Sequence, residues 1–206
     1  MRRDAKRCRG GRDGAGTRSR LAHSLTQLAA DAPSRYPPAV AKGKDKFPVT
    51  PAIRALRAAR CEYTPHLYDY VPRGGAAESS RQLGAPLHAV IKTLVMKDET
   101  GAPLLVLMHG DLEVSTKGLA RVLGRKTITP CTPDEATKHT GYLVGGTSPF
   151  GTRKRLPTYM EAGIAALERL WINGGKRGFL VEMSPAELQR ALELEPVEVA
   201  TTAGGD

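Results

Sequence analysis

The chain has 206 residues, 40% hydrophobic and 25% charged, with a formal net charge of +10. With no long low-complexity tract, that composition fits a single soluble α/β-type domain with a core of its own plus an additional segment, and its three cysteines argue against a disulfide scaffold. The charge is uneven: residues 1–46 hold 12 Lys+Arg against 4 Asp+Glu, a net of +8, so residues 47–206 carry only the remaining +2.

Residues 1–46 are rich in Arg, Gly, Ala and Ser and show no sustained apolar periodicity. They bury too little surface to offset their ordering entropy and read as a basic, disordered leader ahead of a domain at 47–206. A nucleic-acid-binding arm is the second reading of the same charge. Arg2 and Arg3 hint at a twin-arginine signal, but no apolar stretch of the required length follows them, and Asp4, Asp13 and Asp31 oppose a transit peptide. The longest apolar run, PLLVLM, is far too short to span a bilayer.

The ordered part opens with VTPAIRALRAARC, where Thr50 is a natural N-cap, Pro51 takes the first helical position, and Ile53, Leu56 and Ala59 share a face. YTPHLYDY reads as a strand with aromatics at Tyr63, Tyr68 and Tyr70, and AAESSRQLG as a short helix stopped by Gly84. HAVIKTLVMKD and APLLVLMHG are strands joined by the turn DETG, an antiparallel hairpin. STKGLARVLG is a helix capped by Ser115 and ended by Gly124. KTITPC is strand-like, and TPDEATKHT places Thr132 and Glu135 at capping-box spacing. The last third predicts a strand LPTYME, a short helix IAALERL, a strand WIN, a turn GGKRG, a strand FLVEM and a helix PAELQRAL capped by Ser184. Hairpins among alternating helices and strands oppose an all-parallel sheet. The expected class is α/β in the α+β sense: a mixed, mainly antiparallel sheet curled into a barrel-like shape with flanking helices.

Cys8, Cys61 and Cys131 are far apart, with no C-x-x-C spacing or histidine cluster, which suits a reducing cytosol and opposes a zinc site. Nucleophile-elbow, zincin, P-loop and dinucleotide motifs are missing from the sequence. Two features remain. Lys92 interrupts an otherwise apolar strand, where a buried ammonium is costly unless paired. Two glycine pairs, in LVGGTSPFGTRKR and INGGKRGF, sit in turns beside strands, where the backbone can approach a ligand closely and aim N–H groups inward.

TPAIRAL, YDY, IKTLV, TGYLVGGTSPFG and INGGKRGF, in this order from about residue 50 to 199, resemble the YbaK branch of the YbaK/prolyl-tRNA synthetase-associated domain superfamily. The resemblance implies an aminoacyl-tRNA deacylase without metal or cofactor, acting in the cytoplasm on Cys-tRNA(Pro), with Cys-tRNA(Cys) as a further substrate. Ala-tRNA(Pro) deacylation, or a catalytically weak tRNA- or synthetase-binding module, is the alternative. It makes Lys92 the functional lysine and Tyr68 a pocket residue. Gly145, Gly146, Thr147, Ser148, Asn173, Gly174, Gly175, Lys176 and Arg177 become substrate-binding positions. The implied partners are a tRNA acceptor end carrying cysteine and, transiently, prolyl-tRNA synthetase, with no membrane. Two positions depart from the family pattern. Asn173 stands where many relatives have serine, and Gly75 where some have an aromatic.

A chain lacking residues 1–46 is expected to keep its melting temperature and any deacylase rate almost unchanged, with weaker tRNA binding at low salt. Thermal melts of the two forms test this; a large fall in melting temperature would show that the leader docks on the domain.

Overall fold

The computed structural model describes residues 47–202, so the leader expected at residues 1–46 lies outside them. Helix α1 (Pro51–Ala58) begins as its sequence dictates, with the Thr50 hydroxyl accepting from the Ile53 N–H at 3.1 Å and Pro51 in the first turn. The same hydroxyl donates to the Gly174 carbonyl at 2.5 Å, tying the start of the helix to a strand 124 residues away. Its inward face is Ala52, Ile53 and Leu56, all buried.

Strand β1 (Thr64–Leu67) is shorter than the expected one, so Tyr63, Tyr68 and Tyr70 flank it. Helix α2 (Gly75–Leu83) ends at Gly84 in the left-handed region, as predicted. The hairpin of β2 (Val90–Asp98) and β3 (Pro103–His109) pairs antiparallel from Ile91↔His109 to Lys97↔Pro103. Its turn is closed by the buried Asp98, whose Oδ1 accepts from the N–H groups of Thr100 and Ala102 and from the Thr100 hydroxyl. Beyond it come β4 (Glu113–Val114), α3 (Thr116–Val122), β5 (Ile128–Pro130) and α4 (Pro133–Thr140). Both sides of the capping box between Thr132 and Glu135 are formed in α4.

The final third holds β6 (Thr158–Glu161), β7 (Leu170–Lys176), β8 (Phe179–Met183), α5 (Pro185–Ala191), β9 (Glu195–Val197) and β10 (Ala200–Thr201). Two expectations are corrected here. IAALERL does not form an α-helix: a 3₁₀ turn covers Ala162–Ala166, and Leu170 already belongs to β7. Ile164 is fully buried and Leu167 packs beside the same core, so the apolar residues are used at a three-residue spacing, which the tighter helix satisfies. The pair Gly174 and Gly175 lies within β7, at an irregularity between Asn173 and Lys176, and the reversal itself falls on Arg177 and Gly178.

The main sheet is ordered β1-β8-β7-β2-β3-β6-β9, with β5 also pairing β2; β4 and β10 form a separate two-stranded ladder. The β1/β8, β7/β8, β2/β3 and β2/β5 pairs are antiparallel, and β2/β7, β3/β6 and β6/β9 are parallel. The sheet is therefore mixed and mainly antiparallel, as expected, and it is open, with β1 and β9 at its edges. One face packs Ile91, Leu107, Ile172 and Val181 against α1 and α5. The opposite face packs Met96, Val106 and Met108 against Leu119 and Ala120 of α3.

Thr50→Ala removes both the helix cap and the donor to a strand carbonyl. It is expected to cost about 2–3 kcal/mol, combining a lost cap with an unsatisfied acceptor. Urea unfolding should show a lower midpoint at unchanged slope, with Thr50→Ser recovering most of the loss.

Candidate functional site

On the edge of β2 away from β3, two short partners replace one long one. Strand β7 pairs in parallel at Val90 and Ile91, and β5 pairs antiparallel at Met96, Lys97 and Asp98. Between them residues 92–95 have no strand partner on that side, and a cavity of about 570 Å³ opens along the gap. Of the positions expected from sequence, Lys92, Tyr68, Gly145, Thr147, Asn173 and Arg177 line it. The start of α2, Gly75 and Ala76, forms a further part of the wall.

The mouth of the cavity is built from two loops bonded to each other. Asn173 Nδ2 donates to the Gly145 carbonyl at 3.3 Å, and Arg177 Nε donates to the Val144 carbonyl at 2.9 Å. The Arg177 guanidinium lies over the Tyr70 ring, 5.1 Å from its centroid. Glycine is required where these pieces meet. At Gly146 a side chain would begin 2.8 Å from the Arg177 backbone nitrogen. At Gly145, with φ of +87°, it would meet the Tyr70 hydroxyl at 2.9 Å.

Gly146, Ser148, Gly174, Gly175 and Lys176, expected at the site, do not line the cavity. Ser148 is fully buried, and its hydroxyl accepts from the Phe150 N–H. Gly174 leaves room for the Phe179 ring, and Gly175 for Tyr142 and Thr50. Several N–H groups of these turns, read from sequence as donors to a ligand, are already used. Asn173 Oδ1 accepts from Gly175 at 2.8 Å and from Lys176 at 3.2 Å, and the Gly146 N–H donates to Leu143. Sequence reasoning singled out neither Tyr70 nor Thr93 as a site residue, although both line the cavity and lie inside the quoted motifs YDY and IKTLV.

Lys92 is half-buried, and its Nζ donates to the Leu112 carbonyl. Burial pulls the ammonium below the ordinary lysine range, while the carboxylates of Glu113 and then Asp111 oppose that shift. An ammonium carries three donors, so the bond to Leu112 leaves capacity for a ligand oxygen. Tyr68 is held in its acid form, burial pushing its hydroxyl pKa up.

A larger cleft, about 880 Å³, lies between the 149–158 segment and residues 189–195. It contains none of the expected site residues; Arg155 at its edge is paired with Glu193. Among the described residues no group of three His, Cys, Asp or Glu side chains is placed to hold a metal ion, and no helix is long and apolar enough to cross a membrane. The smaller cavity is the candidate site because the interrupted strand edge, the lysine and both glycine loops converge there.

A family model described as the aminoacyl-tRNA editing domain matches residues 72–191, which include Lys92 and both glycine loops. The chain is 27% identical over 153 residues to EbsC of Enterococcus faecalis, provisionally named a Cys-tRNA(Pro)/Cys-tRNA(Cys) deacylase, covering 74% of this chain and 93% of that protein. Among solved structures, hypothetical protein APE2540 superposes with a TM-score of 0.67 at 22% identity, covering 73% of this chain and 99% of that one. A protein provisionally described as a trans-editing enzyme for prolyl-tRNA synthetase superposes with a TM-score of 0.62 at 23% identity, covering 75% and 99%. These two likenesses concern the fold.

The depressed Lys92 pKa has a sign that can be tested. The unfolded chain keeps an ordinary lysine, so between the native and the ordinary midpoints it holds the proton that the native state has released. The contribution of Lys92 to stability is therefore fully present above the ordinary midpoint and is lost as pH falls through the native one. Nitrogen-detected NMR titration of Lys92 should give a midpoint below those of exposed lysines; an equal or higher midpoint would refute the burial argument.

Proposed function

The chain belongs to the aminoacyl-tRNA editing domain family, and from that premise we propose that it is a deacylase that clears cysteine in trans from mischarged Cys-tRNA(Pro), with Cys-tRNA(Cys) as a further substrate. The observation that carries the proposal is the cavity on the open edge of β2, with Lys92 in its wall and a mouth formed by the Asn173 and Arg177 loops. The name of EbsC supports the cysteinyl substrate. Ala-tRNA(Pro) is the runner-up.

Cleavage of an aminoacyl ester needs a nucleophile at the carbonyl carbon and a positive partner for the developing oxyanion. A cysteinyl ester brings its own thiol, whose thiolate fraction rises beside an ammonium. In the proposed step the thiol sulfur forms a C–S bond to its own carbonyl carbon, the ester C–O bond breaks, and the thiol proton ends on the 3′-oxygen of the released tRNA. Water then opens the resulting thiolactone to free cysteine. Direct attack by water on the ester gives the same products without the cyclic intermediate. In both routes the Lys92 ammonium is assigned to the oxyanion, since N–H groups of Gly146, Gly175 and Lys176 are already bonded.

Those committed N–H groups, together with the Lys92 bond to Leu112, favour a second reading: a module that holds an acceptor end with little catalysis. The proposed setting is the cytoplasm, where tRNA charging takes place. Transient association with prolyl-tRNA synthetase would supply the tRNA selectivity that a domain with so small a net charge has little means of generating alone.

Single-turnover deacylation of Cys-tRNA(Pro), Cys-tRNA(Cys) and Ala-tRNA(Pro) separates these readings. The expected result is rapid clearance of both cysteinyl substrates, slow clearance of the alanyl one, and a 100- to 1,000-fold loss in Lys92→Ala at unchanged circular dichroism, on the order expected for one oxyanion partner. Near-normal rates in a folded Lys92→Ala would remove the lysine from the mechanism. No turnover by the wild type would leave the binding module.

A further inference from the structure

A β-strand directs the main-chain groups of successive residues to alternate edges. The Cys131 N–H donates to the Val95 carbonyl at 2.9 Å, so Val95 faces the β5 side of β2. Two residues back, Thr93 faces the same side, in the stretch where neither β5 nor β7 pairs with β2. Its N–H and C=O are therefore directed at the gap, and Thr93 is part of the cavity wall. The Thr93 hydroxyl oxygen is also buried with no hydrogen-bond partner. Buried polar groups are overwhelmingly paired in native proteins, so one residue with an open main-chain edge and an orphan hydroxyl marks a place where a ligand completes the bonding.

The other acceptors around the cavity identify which ligand group belongs there. Glu78 is the one carboxylate in the wall among the described residues, and its oxygens are taken by Arg81 at 2.5 and 3.1 Å and by Gln82 at 2.6 Å. Asn173 Oδ1 serves Gly175 and Lys176, and the carbonyls of Gly145 and Val144 serve Asn173 and Arg177. Among the described residues the Thr93 hydroxyl is the one side-chain oxygen of this wall that is buried without a hydrogen-bond partner, and the Thr93 main-chain carbonyl faces the same gap. The three residues 92–94, which make no strand bond on this edge, span roughly 10 Å at the rise of a strand. That suits a single aminoacyl unit and is short for an added strand.

We propose that Thr93 reads the α-ammonium of the aminoacyl ester: its main-chain carbonyl accepts the first hydrogen bond and its hydroxyl oxygen the second, which fixes the acyl group along the open edge of β2. This rests on the deacylase reading and adds to it a substrate requirement, a free α-amino group. Peptidyl or N-blocked tRNA is thereby rejected whatever its side chain.

Binding to the full chain is measured by calorimetry with non-hydrolysable 3′-amido-3′-deoxyadenosine analogues carrying cysteinyl or alanyl groups, each beside its counterpart lacking the α-amine. At least tenfold weaker binding of the desamino compounds is expected. Thr93→Val, which keeps the main chain, should weaken the amine-bearing analogues about threefold and leave the others unchanged. Equal affinity of each analogue and its desamino counterpart overturns the inference and leaves the deacylase reading standing. Binding of none of the four overturns both. In Thr93→Val, an equal loss for both kinds of analogue, or no loss, overturns the part assigned to the hydroxyl.

Discussion

Strand β2 gives one edge to β3 from Ile91 to Lys97 and divides the other between β7 at its start and β5 at its end. Had β7 continued alongside β2, the N–H and C=O of Thr93 would be consumed in the ladder and the sheet would be continuous. β7 instead leaves β2 after Ile172, and its irregularity between Asn173 and Lys176 carries the chain into the rim. The cavity follows from this divergence, because the next strand to pair on that edge does so only from Met96 onward.

The divergence also explains where the glycines are spent. A β-bulge needs its local backbone to bend, and here the bend brings residues 173–177 against residues 143–146 closely enough that side chains at Gly145 and Gly146 would collide with Tyr70 and the Arg177 backbone. Asn173 occupies the hinge of this arrangement. Its Oδ1 satisfies two N–H groups of its own loop while its Nδ2 reaches the Gly145 carbonyl of the other. Asn can both accept and donate through one rigid amide, whereas a serine hydroxyl there would have a single donor and a shorter reach.

Lys92 stands beside this opening under opposing influences. Partial burial disfavours its charge, and Glu113 and Asp111 favour it. The ammonium is stabilised by a backbone carbonyl, with no salt bridge of its own among the described residues. In the proposed deacylase, such a cation would exchange Leu112 for a substrate oxygen without breaking an ion pair, and a developing oxyanion in a partly desolvated wall would gain more from it than in water.

The local chemistry of the chain was legible in the sequence. The caps at Thr50, Ser115, Thr132 and Ser184, the stop at Gly84 and the β2/β3 hairpin are carried by short-range rules, as was the oddity of a lysine within VIKTLV. Recurrent motifs further assigned Lys92, Tyr68, Asn173 and Arg177 to a pocket, and these do line one cavity. Less legible were the 3₁₀ geometry of Ala162–Ala166, the division of labour among the glycines and the place of Thr93. The roles of the glycines depend on residues far away in the chain: Gly174 is bonded by Thr50, and Gly146 is fixed by the Arg177 backbone. The sequence by itself determined the helices α1–α5 and the strands β1–β3 and β5–β8, because capping, turn and alternation signals act within a few residues. Only the tertiary structure decided that one edge of β2 is left open, because a strand's partners are chosen by the register and bending of segments dozens of residues distant, which no local pattern encodes.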